Sequence, residues 1–251
     1  MFFLNKFFIG ENMPSVLFDI KDSVGLITLN RPEKRNAINM DLLIHFYNAL
    51  DEIIVNQDIK AVIITGSGPS FCAGLDLSAI GRENLFDPRG DGRGFPELIN
   101  ECRVPVIGAV NGHAITGGLE IALNCDFLIA SENASFKDTH AKVGLPPGWG
   151  LSQLLQHAVG QRMTKQMSFS GKVLNAQEAL RYGLVNEVLP ADKLMERSFE
   201  IAQTICCGNK NIIGIMKDII NRGGKTTLAK GLEIEQKTFL DFIKPFQNID
   251  E

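Results

Sequence analysis

The chain has 251 residues, 45 % of them hydrophobic and 22 % charged, ordinary for a globular protein and ample for a real core. A formal net charge of −4, with no run of basic residues, argues against nucleic acid as the main partner. No stretch approaches the roughly 20 apolar residues needed to span a bilayer, so no membrane partner is expected.

The start, Met1-Phe2-Phe3-Leu4, is interrupted by Asn5 and Lys6, and no small-residue cleavage site follows, unlike a signal peptide. Met13-Pro14 offers an alternative start, and residues 1–12 are expected to form a disordered extension. Ser15–Lys21 and Val24–Asn30 read as a strand pair closed by a tight turn at Asp22-Ser23. Met40, Leu43, Tyr47, Leu50 and Ile54 then recur at helical spacing. Ala61–Thr65, Val104–Val110 and Phe127–Ala130 are short apolar runs suited to strands covered on both faces. Residues 78–100 crowd glycines and charges without periodicity and read as a mobile surface loop, a length at which loops often act as lids.

Beyond about Trp149 strand signals give way to helical ones. Asn175 with Glu178 three residues later marks a capped helix start. Leu228, Leu232, Phe239, Phe242 and Ile243 form the apolar stripe of a last helix, with Glu233 and Lys237 paired on its outer face. The expected organisation is an α/β core over 13–194 and a helical C-terminal region of the same domain over 195–251. Five cysteines without paired spacing read as reduced thiols in a cytoplasmic protein.

Several chemistries are excluded by spacing. Gly223-Gly224-Lys225-Thr226 lacks the earlier glycine of a P-loop, since Ile219 stands there. Phe71 replaces the third glycine of a dinucleotide fingerprint after Gly66 and Gly68. No Gly-x-Ser-x-Gly elbow occurs. The four histidines show no ligand spacing, and no metal is expected. Gly117-Gly118-Leu119-Glu120 is the positive signal: glycines allow close backbone approach, free N–H groups can hold a negative oxygen, and a carboxylate stands beside them. That is a layout for chemistry next to a carbonyl.

Ser70-Phe71-Cys72-Ala73-Gly74-Leu75-Asp76-Leu77 resembles the first signature of the enoyl-CoA hydratase/isomerase (crotonase) superfamily. Pro105 through Ala114, then Gly117-Gly118-Leu119-Glu120 and Asn124-Cys125-Asp126, resembles the second. Asn30-Arg31-Pro32 with Arg35-Asn36-Ala37 is similar to its CoA-binding loop, and Gly144-Leu145-Pro146-Pro147-Gly148-Trp149-Gly150 continues in register. The resemblance implies a spiral of repeated ββα units with a helical C-terminal trimerisation region, assembled as a homotrimer or dimer of trimers. It implies an acyl-CoA thioester substrate and no separate cofactor, coenzyme A being part of the substrate.

It also implies roles. The backbone N–H groups of Leu75 and Gly117 would hold the thioester oxygen, and Glu120 would be a catalytic acid–base. The second glutamate of the family's hydratases is replaced by His140, which stands at a proton-transfer position; Asp138 is the alternative, unless it points outward. Lys34 and Arg35 would meet CoA phosphates, Ala37, Cys72, Ala73, Gly74 and Gly118 the path of the ligand, and Trp149 the acyl pocket or merely the core. Asp76, counted with the CoA-binding residues, reads in its own right as a helix N-cap, and His113 and Asp126 as structural. Hydration of trans-2-enoyl-CoA is the expected reaction. A Δ3-Δ2-enoyl-CoA isomerase or other single-base enzyme is the alternative, and a non-catalytic acyl-CoA- or RNA-binding relative the rival of another class.

Overall fold

A computed structural model describes residues 13–247; the expected extension over 1–12 lies outside them. The hairpin forms as read: β1 (Val16–Lys21) pairs antiparallel with β2 (Val24–Leu29), Lys21 opposite Val24. Asp22 and Ser23 both take positive φ (51° and 65°), the twist that a two-residue hairpin turn requires. Helix α1 (Met40–Val55) starts at Asn39, whose side chain accepts the Leu42 N–H, and buries Leu43, Tyr47 and Leu50.

The chain then coils. β3 (Ala61–Gly66), β5 (Val106–Val110) and β7 (Phe127–Ser131) each enter a six-stranded sheet and continue into β4 (Ser70–Cys72), β6 (His113–Ile115) and β8 (Ser135–Lys137) of a four-stranded one. A helix follows each pair: α2 (Phe95–Glu101), α3 (Gly117–Leu123) and α4 (His140–Val143). This repeated ββα course gives the spiral that the resemblance implies. The large sheet runs β1-β2-β3-β5-β7 and one later strand, parallel from β2 onward, and the small one β4-β6-β8 and one later strand. Every residue of β3 and β5 is buried. Val62 and Ile64 join the core shared with α1, whereas Ala61 and Ile63 pack with Leu194 and Ala202 of α8 (Leu194–Cys206).

Three expectations are corrected. The 78–100 region is not wholly loop: it ends in α2, which buries Phe95, Leu98 and Ile99. Its irregular part is strapped down, since Arg89 and Arg93 both bind Asp51 of α1 and Arg93 also binds Glu101 at 2.6 Å. Strands do occur after Trp149: β9 (Val173–Asn175) pairs with β8, and β10 (Glu187–Leu189) with β7. Glu233 pairs with Lys230, at 2.6 Å, rather than with Lys237, because the shorter i,i+3 contact captures it.

Helices α5 (Leu151–Val159), α6 (Gln161–Ser170) and α7 (Ala176–Arg181) follow the spiral, α7 with the anticipated Asn175–Glu178 capping box. After α8 come α9 (Lys210–Gly223) and α10 (Leu228–Gln247), packed along each other. Leu228, Leu232, Phe239 and Phe242 of α10 are exposed in the single chain, Leu228 by 80 %.

Asn36 clasps the loop before α1 to the spiral. Fully buried, its amide nitrogen donates to the carbonyls of Ser67, Ser70 and Phe71, while its oxygen accepts the Arg31 N–H. Its φ of 55° is one that asparagine tolerates better than most residues. Asn36→Ala should therefore destabilise the fold by roughly 2–3 kcal/mol, because buried backbone groups lose their partners. Urea unfolding at fixed protein concentration measures this, and a loss below about 0.5 kcal/mol would contradict the clasp.

Candidate active site

The site lies where the second turn of the spiral crosses the first. Ile38 N–H donates to the Gly74 carbonyl and Ile38 carbonyl accepts the Asp76 N–H, both at 2.8 Å. Because successive extended residues face opposite ways, Leu75 between them turns its own N–H to the other side. Gly117, as the first residue of α3, has no intrahelical acceptor. Among the described residues neither N–H finds a protein partner. The two are neighbours: a Cβ built on Gly117 would stand 3.6 Å from the Leu75 nitrogen.

Thr116 aims the Gly117 peptide. Its φ of 53° and ψ of −109° are rare for a β-branched residue. Three bonds hold that turn: Thr116 N–H to the Lys137 carbonyl (2.9 Å), Thr139 N–H to Thr116 Oγ1 (3.0 Å), and a contact between the two threonine hydroxyls (2.5 Å).

Glu120, one turn into α3, is only 4 % exposed. Oε1 accepts the Trp149 N–H at 2.8 Å and faces the Leu151 N–H at 3.4 Å; Oε2 lies 3.7 Å from His140 Nε2. Burial pushes the Glu120 carboxyl above the usual glutamate range, offset only in part by the Trp149 N–H, the adjacent His140 and the Leu151 N–H. His140 opens α4, and its Nδ1 meets Asp138 Oδ1 at 2.8 Å. Burial of Asp138 favours its neutral form, but the ring and backbone N–H of His140 outweigh this and hold the carboxyl below its ordinary value.

These groups open on one cavity of about 320 Å³, at the small end of ligand pockets. Leu75, Thr116, Gly117, Glu120, Thr139 and His140 form its polar side, and Leu77, Ile80, Leu85, Phe86, Leu145 and Trp149 much of its apolar wall. Trp149 cannot easily retreat. Its carbonyl accepts the Asn124 side-chain N–H, and its ring lies 5.4 Å from Phe95, which is in turn 5.5 Å from Phe46.

Of the residues expected here, Leu75, Gly117, Glu120, His140, Trp149 and Ala73 meet at this cavity. Lys34 and Arg35 are exposed on the loop outside its lining, with Ala37 half-buried beside them. Cys72, Gly74 and Gly118 are buried behind it, and burial pushes the Cys72 thiol up to about 12. Asp76 caps a turn rather than a helix: it accepts the Ser78 N–H and hydroxyl and faces Arg31 at 3.3 Å, while no helix follows it before Phe95. His113 contacts Ser135, and Asp126 bonds the Val106 N–H and Lys217, both structural. Thr116, Asn124 and the inward Asp138 carry weight that the motifs did not reveal. For Asp138 the signal was alternation, since Phe136 two residues earlier faces the core. Among the described residues no three His, Cys, Asp or Glu side chains gather as a metal site.

A buried carboxylate and an imidazole facing two unpaired N–H groups across an apolar cavity form a site for acid–base work beside an oxyanion. Comparison with known proteins gives the family. Short-chain-enoyl-CoA hydratase of Clostridium acetobutylicum is 38 % identical over 90 % of this chain and 88 % of its own. A probable peroxisomal enoyl-CoA hydratase of Arabidopsis thaliana is 35 % identical over 91 % of this chain and 86 % of its own. The crystal structure of enoyl-CoA hydratase from Mycobacterium tuberculosis H37Rv matches with a TM-score of 0.76 and 42 % identity, covering 88 % and 95 % of the two chains. With the sequence model for Enoyl-CoA hydratase/isomerase matching residues 19–248, nearly the whole described fold and all of the cavity fall inside one family, and the chain belongs to the enoyl-CoA hydratase/isomerase family.

Proposed function

We propose that the protein hydrates trans-2-enoyl-CoA thioesters to 3-hydroxyacyl-CoA. The observation that carries this reading is the 3.7 Å approach of His140 Nε2 to Glu120 Oε2 at the cavity holding the Leu75 and Gly117 N–H groups. Hydration takes one proton from water and delivers one to C2, and this pair can handle both where the family's hydratases carry two glutamates.

The thioester oxygen sits between the N–H groups of Leu75 and Gly117. Glu120 takes a proton from water as the water oxygen bonds to C3, and the π electrons move onto the thioester oxygen. That charge exists in the enolate and not in the ground state, so the two donors favour the transition state. The enolate collapses as C2 takes the Nε2 proton of the imidazolium of His140. The proton on Glu120 then crosses to Nε2 and both groups are reset. The bound water and acyl group are covered by Leu77, Ile80 and Leu85, and Lys34 and Arg35 meet CoA phosphates outside the cavity.

Glu120→Gln should lower crotonyl-CoA hydration by about 10²–10⁴-fold, the usual worth of a general base, while acyl-CoA binding stays within a few-fold. Retention of most activity would remove Glu120 as the base, and isomerisation of a 3-enoyl-CoA without hydration would favour the single-base reaction. The native pH–rate profile carries a further expectation. Glu120 works ionised and its pKa is raised, so the acid limb should lie at higher pH than an ordinary glutamate gives. A limb at or below the ordinary value would contradict the burial.

The assembly we propose is a homotrimer or dimer of trimers, held through the apolar face of α10. Its support is the exposure of Leu228, Leu232, Phe239 and Phe242, a contiguous stripe of a kind seldom left in water. Sedimentation should find a trimer or hexamer at micromolar concentration, and Leu232→Lys should weaken it; a native monomer overturns the proposal.

A further inference from the structure

Asp138 poses a physical question that chain connectivity does not answer. It is 1 % exposed, and its Oδ1 accepts both the backbone N–H of His140 (2.9 Å) and its Nδ1 (2.8 Å). Its Oδ2 makes no hydrogen bond within normal distance among the described residues, the Ser168 side chain being the polar group that lies against the carboxyl. A residue serving only to cap α4 needs one oxygen and no charge. Asparagine would do that without burying a negative charge, which is costly.

We propose that Asp138 is a positioning residue that fixes the tautomer of His140, keeping a hydrogen on Nδ1 so that Nε2 is the atom presented to Glu120 and to the substrate. An ionised carboxylate can only accept hydrogen bonds, so a 2.8 Å contact to Nδ1 requires that nitrogen to carry the hydrogen. Nε2, 3.7 Å from Glu120 Oε2, is then free either to hold a proton for C2 or to receive one from Glu120. The negative charge of Asp138 also stabilises the imidazolium that each turnover uses, as the buried aspartate does in a serine-protease triad. The hydrogen bonds from His140 keep Asp138 ionised despite its burial. The ionisable groups facing the ring are Glu120 from α3 and Asp138 ahead of α4; Ser168 of α6 lies against the Asp138 carboxyl, and Lys142 on α4 directs its ammonium toward Gly171. This inference rests on the hydratase reading for its kinetic arm but not for its spectroscopic one.

The test is Asp138→Asn, which keeps an oxygen for the His140 backbone N–H and removes the charge. Crotonyl-CoA hydration should fall by about tenfold or more in kcat, with KM within a few-fold. The pH–rate profile should change shape, because the charge beside the proton-transfer pair is gone. The melting temperature should stay near the native one. Independently, spectra of native protein carrying ¹⁵N-labelled histidine should show a ring hydrogen on Nδ1 of His140, the signal being assigned by its loss in His140→Gln. Native kcat with an unchanged pH profile in Asp138→Asn would reduce Asp138 to a cap. A neutral His140 ring protonated on Nε2 in the native protein would overturn the proposal whether or not the variant folds. Absence of hydration in the native protein, with Nδ1 protonated, would instead refute the reaction and leave the tautomer assignment standing.

Discussion

Everything at the site depends on how closely two turns of the spiral can touch. A Cβ on Gly118 would stand 2.1 Å from the Cys72 carbonyl oxygen, so the α3 backbone is pressed directly onto the β4 strand. No other residue permits this. The contact puts the start of α3 beside the segment after β4, and hence the Gly117 N–H beside that of Leu75. Gly74 contributes from the opposite side: its φ is 87°, and a Cβ there would meet the Ile115 carbonyl at 2.8 Å. Two glycines on two different turns thus make a pair of donors that neither turn could make alone.

The same crossing fixes the electrostatics. Glu120 is carried by α3 into a place where its charge is poorly solvated, and the compensation comes from the Pro147–Leu151 segment, whose Trp149 N–H it accepts. That bond has a second effect, since it anchors the backbone of the residue whose indole walls the cavity. Position of the base and shape of the pocket are therefore set by one hydrogen bond, with Asn124 on the Trp149 carbonyl completing the hold. A carboxylate whose pKa is raised by burial is a better proton acceptor than a surface one, provided such local bonds prevent it from escaping to water.

Much of this was legible in the chain where the signal is local. The Asp22-Ser23 turn, the Asn175–Glu178 capping box and the period of α1 follow from nearest neighbours, and each forms. Strands β9 and β10 did not show themselves because each is three residues long and exists only by pairing with a strand distant in sequence. Helix α2 is seven residues long and begins at Gly94 and Pro96, signals that read equally as loop. At the site, motif spacing identified Glu120 and the two N–H groups. It left Asp138 undecided, because one residue of register separates the core from solvent on an extended segment. It was silent on Thr116, whose backbone conformation only the surrounding hydrogen bonds enforce.

Thr116 has a consequence for how this site can vary. Its unfavourable φ is sustained by Thr139, through a hydroxyl contact and an N–H bond, and Thr139 is itself the residue that leads into His140. The two threonines form a brace between the oxyanion side of the cavity and its proton-transfer side. Changes at either position are consequently not independent: the penalty for altering one depends on which residue occupies the other, a non-additivity expected of residues in direct contact. Drift at this pair is confined to coordinated replacement, so positions 116 and 139 should be inherited as a unit even though they lie on separate turns of the spiral.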